Sequence, residues 1–196
     1  MMILLTAFEP FGGEQTNASL EAMKRIRAPR GIELIRLEVP TVFGLAGECV
    51  LRAVREERPD VVLCLGQAAG RAAVTPERVA INVRDASIPD NAGNMPQDEP
   101  IVPGGPAAYF STLPIRAMVS AAHSAGVPAS VSNSAGTFVC NDLMYTLLHA
   151  LVEEFPQIRG GFVHTPACMP LEKDPSVPIL STEKAAAAIE AMLAVL

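Results

Sequence analysis

An α/β fold built on a largely parallel sheet is predicted by three features of the sequence. Short apolar runs rich in Val, Ile and Leu alternate with stretches of helical length and pattern. The alternation continues along all 196 residues with no linker, repeat or low-complexity tract beyond the alanine run 185–188. Hydrophobic residues make up 49% and charged residues 18%, which argues for a compact globular chain and against disorder. The length suits one domain covering residues 1–196.

The elements follow in order. Residues 2–7 form a first apolar strand, which turns at once into Glu9-Pro10 and Gly12-Gly13. Residues 17–27 read as a helix, 32–39 as a strand and 45–57 as an amphipathic helix. The run 60–65, containing Val61-Val62-Leu63-Cys64-Leu65, reads as a buried strand, and 79–83 as another. From 85 to 106 the rhythm breaks, with Pro89, Pro96, Pro100, Pro103 and Pro106 among Asn and Gly residues. A structureless stretch of that length points to a functional excursion or an assembly surface. Helix 114–125, strand 129–132, helix 138–154, strand 161–164 and helix 182–196 complete the chain. In such sheets functional residues collect in loops beyond the carboxyl ends of the strands.

Composition removes several classes of function. The formal net charge is −6 with no basic cluster, so nucleic acid and anionic membranes are not expected partners. No apolar run approaches the roughly 20 residues that span a bilayer. The N-terminus lacks the basic region and long apolar stretch of a signal peptide, so reduced thiols in the cytoplasm are expected. The four cysteines, Cys49, Cys64, Cys140 and Cys168, show no CxxC spacing, which disfavours zinc and thioredoxin chemistry.

Among the thiols, Cys49 and Cys64 read as small buried hydrophobes. Cys140 follows the polar turn Ser132-Asn133-Ser134-Ala135-Gly136-Thr137, which leads from a strand into a helix. With Thr137 as N-cap, Cys140 falls at the third helical position, where free N–H groups and the helix dipole favour a thiolate. Position alone leaves a catalytic and a structural Cys140 both open. A thiol peptidase also needs an imidazole. His149 lies on the opposite face of the Cys140 helix, and His123 reads as a solvated or core residue. His164 closes a strand just before Thr165-Pro166, where a base would stand. Cys168 rivals Cys140 as nucleophile or redox partner, but has no helix start to activate it and reads as loop packing. Glu77, in Thr75-Pro76-Glu77-Arg78, taken alone reads as a surface turn residue paired with an arginine.

Two segments resemble the pyrrolidone-carboxylate (pyroglutamyl) peptidase family of cysteine peptidases. One is Gly66-Gln67-Ala68-Ala69-Gly70-Arg71 with Thr75-Pro76-Glu77-Arg78-Val79-Ala80-Ile81-Asn82. The other is Val131-Ser132-Asn133-Ser134-Ala135-Gly136-Thr137-Phe138-Val139-Cys140-Asn141. Thr6-Ala7-Phe8-Glu9-Pro10-Phe11-Gly12-Gly13, Ile88-Pro89-Asp90-Asn91 and Phe162-Val163-His164-Thr165-Pro166 support them, in the family's order. The resemblance implies Cys140 as nucleophile, His164 as base and acid, and Glu77 as the group orienting His164. It implies an α/β/α sandwich around a mixed sheet, a homotetramer, and no metal or organic cofactor. The implied partners are peptides with an N-terminal pyroglutamate. Their lactam would enter a slot formed by Phe8, Phe11 and Phe138, with Ile88 nearby, and meet Asn17 and the backbone at Gln67. Where the family carries an arginine before Ile-Pro-Asp, this chain has Ser87. Arg84 lies three positions earlier, an odd offset that points to the opposite face of an extended segment, so it is not expected to replace that arginine.

Two other readings remain: the resembled fold without its activity, as a binding protein for lactam-capped peptides, and, from the residues, a redox pair of Cys140 with Cys168.

Overall fold

Alternation within three apolar strands sets the architecture. The computed structural model describes residues 1–171, 174 and 176–196. The central sheet has the order β2 (Glu33–Val39), β1 (Met2–Phe8), β3 (Val61–Gln67), β7 (Arg159–Thr165) and β4 (Thr75–Pro76). All neighbours are parallel except β4 on β7. Ile3, Leu5, Ala7, Val61, Leu63, Leu65 and Val163 point to one face. There they pack on α1 (Ala18–Arg25), α3 (Ile115–Ser124) and α5 (Thr182–Leu193). Leu4, Phe8, Val62, Cys64 and Phe162 point to the other, against α2 (Leu45–Glu57) and α4 (Val139–Glu153). The period of two in a strand therefore builds two cores at once, an α/β/α sandwich.

Two short strands lie outside this sheet. β5 (Val79–Ile81) pairs antiparallel with β6 (Ala108–Phe110), so the proline-rich excursion is the connection of a wide hairpin. The expected strand 79–83 is thus shortened and belongs to a second, two-stranded sheet. Residues 129–132 do not form a strand either. They run beside residues 74–77 with only the bridges Val74 to Ala129 and Glu77 to Ser132. Pro76 has no N–H, and without that donor the ladder cannot be continuous. β4 and β6, of two and three residues, carry no readable alternation.

Helix starts also depart from expectation. Asn17 caps α1 from outside, its Oδ1 accepting the Ser19 N–H at 3.0 Å. Phe138, not Thr137, is the N-cap of α4, which puts Cys140 at the second helical position. The Thr137 hydroxyl instead donates to the Asp85 carbonyl at 2.7 Å.

The order in the sheet reverses between β1 and β3, since α1 and α2 lie on opposite faces. A crevice opens beyond the carboxyl ends of strands at such a point. Phe8, Gln67 and His164 stand at or beside those ends.

Candidate active site

His164 shares the parity of Phe162, which faces α4, and so is delivered to the face where α4 begins. Cys140 sits in the first turn of that helix. Between them the sheet carries Gly66 rather than a larger residue. A Cβ there would lie 2.8 Å from the Phe162 ring and 3.0 Å from Cys140 Sγ, so only glycine lets the thiol settle on the sheet. Gly136, at φ +80, turns the preceding loop into α4.

Glu77 follows β4 and is locked by main-chain bonds, its N–H donating to the Phe162 carbonyl at 2.9 Å. Its side chain is fully buried, and Oε1 lies 2.7 Å from His164 Nδ1. An ionised Glu77 places the imidazole proton on Nδ1 and leaves Nε2 as the basic nitrogen. The Ser132 hydroxyl donates to the Ser134 carbonyl at 3.1 Å, which leaves Glu77 Oε2 without a hydrogen bond among the described residues. A hydroxyl can rotate, so Ser132 can also serve the carboxylate.

Cys140 and His164 form one end of a cavity of about 130 Å³, otherwise lined by Phe8, Phe11, Asn17, Thr41, Gln67, Ala135 and Phe138. Its size is close to that of a cavity of ~150 Å³ that takes up benzene. Among the described residues, none that lines it is an Asp, Glu, Lys or Arg. Phe138 is flanked by Phe11 at 6.2 Å and by the edge of Phe43 at 5.2 Å. A ring-sized slot thus carries a thiol and an imidazole in its wall, with the Glu77 carboxylate buried behind the imidazole.

Comparison with known proteins gives the family of the chain. A model of the Pyroglutamyl peptidase family (peptidase family C15) matches residues 1–196. The chain belongs to that family. A pyrrolidone-carboxylate peptidase of Levilactobacillus brevis is 55% identical over 167 residues, 85% of this chain and 82% of the relative. One from Streptomyces coelicolor is 52% identical over 194 residues, 98% of this chain and 90% of the relative. Pyroglutamyl peptidase I of Bacillus amyloliquefaciens superposes with a TM-score of 0.95 at 44% identity, covering 99% of this chain and 93% of that one. The α/β sandwich and its mixed sheet are therefore the fold of a pyroglutamyl peptidase.

Within this family member, burial sets the resting charge state. Burial lowers the His164 pKa below the usual imidazole value, the Glu77 hydrogen bond working against it. Burial and the nearby Glu77 charge push the Cys140 thiol up to about 12, with Arg71 pulling the other way. The lowered thiol expected at a helix start is thus not found, because desolvation outweighs the dipole. Burial also disfavours charge on Glu77, yet the hydrogen bond and field of His164, with help from Ser132 and Arg71, hold it below the usual carboxylate range. Burial thus favours the neutral forms of the thiol and the imidazole, while its partners favour the charged form of Glu77.

The other expected residues fall into two groups. Phe11 and Phe138 both line the cavity. Phe8 does so too, but as the last residue of β1 rather than a loop residue. It is 2% exposed and its ring lies 6.3 Å from Phe162, so it serves core and slot together. Asn17 lines the slot with its polar atoms already engaged: Oδ1 accepts from Ser19 N and Oγ, and Nδ2 donates to the Glu9 carbonyl at 3.1 Å. The Gln67 side chain lines the slot with its Oε1 already accepting the Ala18 N–H at 2.7 Å. Ile88 is 45% exposed and is not among the slot residues. Asp90, two residues on, folds that loop back by accepting the N–H groups of Phe43, Ala92 and Asn94.

Thr41, Ala135 and Arg71 were missed. Thr41 reaches the slot because Glu9 holds it, through Oε1 to its N–H at 3.1 Å and through the Glu9 carbonyl to its hydroxyl at 3.2 Å. The remaining thiols and imidazoles have other settings. Cys64 is fully buried, and Cys49 and Cys168 are partly exposed. His123 bonds the Ala129 carbonyl and His149 the Tyr109 hydroxyl, each at 2.8 Å.

Proposed function

We propose that the chain is a cysteine peptidase that hydrolyses the bond after an N-terminal pyroglutamyl residue in peptides. The observation that carries this reading is the uncharged, ring-sized slot that ends at Cys140 and His164. Pyroglutamate is a flat, neutral lactam with no free α-amine. Phe8, Phe11 and Phe138 suit its apolar faces, and Thr41 and the Gln67 backbone suit its polar edge. A glutamyl or glutaminyl N-terminus would bring a charged amine into a slot lined by no carboxylate, and that desolvation disfavours it.

In this proposal Cys140, His164 and Glu77 are the catalytic residues. Glu77 fixes Nδ1–H, so Nε2 can accept the thiol proton as sulfur bonds to the pyroglutamyl carbonyl carbon. Negative charge then collects on the carbonyl oxygen. Phe138 caps α4 without a side-chain acceptor, so N–H groups of the first turn are the donors at hand for that oxygen. The imidazolium next gives its proton to the leaving amine as the C–N bond breaks, and a thioester remains on Cys140. Water, losing a proton to the same nitrogen, attacks the thioester and releases pyroglutamate with the thiol restored.

The reading extends to a single domain over residues 1–196, a homotetramer and a cytoplasmic location. Phe110 and Val152 are exposed at 68% and 56%, flanking an apolar hollow, which supports subunit contact. Cys49, Cys64, Cys140 and Cys168 are all free thiols, which supports a reducing compartment.

Turnover of a pyroglutamyl arylamide beside the glutaminyl arylamide tests the reading. Arylamine release from the first alone is expected. Comparable release from both would rule out the lactam slot, and binding without release from either would leave a binding protein.

A further inference from the structure

Arg71 stands between the triad and the loop that carries the nucleophile. It closes a tight turn after β3, its N–H donating to the Ala68 carbonyl at 3.1 Å. One guanidinium nitrogen donates to both Thr75 Oγ1 and Glu77 Oε1. The other donates to the carbonyl of Ser134, in the turn leading to Cys140, at 3.1 Å. Glu77 Oε1 therefore accepts from Arg71 and from His164 Nδ1 together. The Arg71 side chain is 29% exposed while Glu77 is fully buried, so a solvent-reaching cation meets an enclosed anion.

We infer that Arg71 is a positioning residue of the triad, holding the nucleophile loop against Glu77 and offsetting the carboxylate's charge so that His164 stays a free base. The inference rests on the proposed peptidase reading of the site.

The reason is electrostatic. A buried carboxylate bonded to an imidazole favours the imidazolium, which cannot take a proton from the thiol. It also opposes a thiolate forming beside it. Among the described residues, the charged or titratable groups facing His164 and Cys140 are Glu77, Arg71 and, on β3, Cys64. Of these only Arg71 is a cation, and its field lowers both the imidazole and the thiol. The fork geometry does the second task. A planar guanidinium can bond a carboxylate and a carbonyl at once, whereas an ammonium supplies the charge without that fixed fork.

The test is the pH profile of kcat/KM on a pyroglutamyl arylamide for wild type, Arg71→Gln and Arg71→Lys. Without the cation the imidazole holds its proton to higher pH, so the acidic limb for Arg71→Gln should move up by about one pH unit. Its kcat near neutral pH should fall by roughly 10- to 100-fold, with KM little changed, a smaller loss than removal of the base. Arg71→Lys should bring the limb back towards wild type while recovering only part of kcat. An unmoved limb in Arg71→Gln, or a uniform loss at every pH, would overturn the inference. Should Arg71→Gln fail to fold, the Arg71→Lys profile decides, since a limb coincident with wild type together with full kcat would deny the fork any role. NMR titration of the His164 imidazole in wild type and Arg71→Gln needs no turnover. An upward shift there, in a chain whose wild type fails to cleave the arylamide, would keep the electrostatic action of Arg71 on His164 and discard the peptidase reading.

Discussion

Two buried carboxylates, Glu77 and Asp142, are each paired with an arginine, and they have different uses. Glu77 and Asp142 both have fully buried side chains, and their partners Arg71 and Arg84 are 29% and 24% exposed. By burial and pairing the two sites are nearly interchangeable. The third group on each carboxylate separates them. Glu77 also holds His164 Nδ1 at 2.7 Å, so its charge acts on the proposed base. Asp142 also accepts the Gly44 N–H at 2.7 Å, so its charge ties the start of α2 to the first turn of α4. A buried ion pair is thus no sign of catalysis until the remaining hydrogen bonds are counted.

The comparison breaks most sharply at the base itself. His164→Ala is expected to abolish measurable turnover, as is Cys140→Ser, because a hydroxyl is not ionised near neutral pH and the thiol here is not acidic by itself. Iodoacetamide should label Cys140 in wild type, and His164→Ala should slow that labelling. Equal labelling rates in the two proteins would mean that the thiol is activated by the helix start alone.

A smaller effect distinguishes the carboxylates. Glu77→Gln should lower kcat by less than loss of the nucleophile does, since it disturbs orientation without removing a reacting group. Asp142→Asn should instead leave one buried donor, Gly44 N–H or Arg84 Nε, without its acceptor, a cost of about 1–3 kcal/mol. For a chain of this length that lowers the melting temperature by roughly 2–10 °C. Activity per folded molecule should fall by less than about tenfold, which is below the loss from removing a true oxyanion donor. If Asp142→Asn loses activity as deeply as Glu77→Gln at an unchanged melting temperature, the division of roles is wrong.

The smallest effects belong to Arg84 and Ser87. Arg84 directs Nε to Asp142 at 2.6 Å, and its backbone pairs with Glu99, so it serves as a brace for the excursion. Arg84→Ala should change kcat by less than about tenfold. Ser87 is exposed, two residues past Asp85, whose backbone is bonded both ways to Thr137. Ser87→Arg should raise kcat/KM slightly. A fall of about 10²-fold in a folded Arg84→Ala variant would make that arginine a donor to the transition state.

The sequence disclosed the parts of this site that depend on local position. His164 ends an apolar strand and Cys140 follows a flexible turn into a helix, and both features are visible as residue patterns. Glu77 was not legible in that way, because what identifies it is contact with His164, 87 residues distant, and with Arg71 rather than the adjacent Arg78. Arg78 itself turns to Asn133, at 2.7 Å. The resting charge of the thiol was equally hidden, since burial depends on Gly66 and Phe162 closing around it. The large strands and the five helices among the described residues could be read from periodicity, whereas the two- and three-residue strands β4 and β6 exist only because distant segments pair with them.

Acid quench of wild-type protein mixed with a pyroglutamyl arylamide, followed by mass spectrometry of its peptides, tests the proposed chemistry most directly. The peptide containing Cys140 should carry one pyroglutamyl group as a thioester, and the same peptide from Cys140→Ser should carry none. A pyroglutamyl adduct on Cys168, or product formation that persists in Cys140→Ser, would contradict the assignment of the nucleophile.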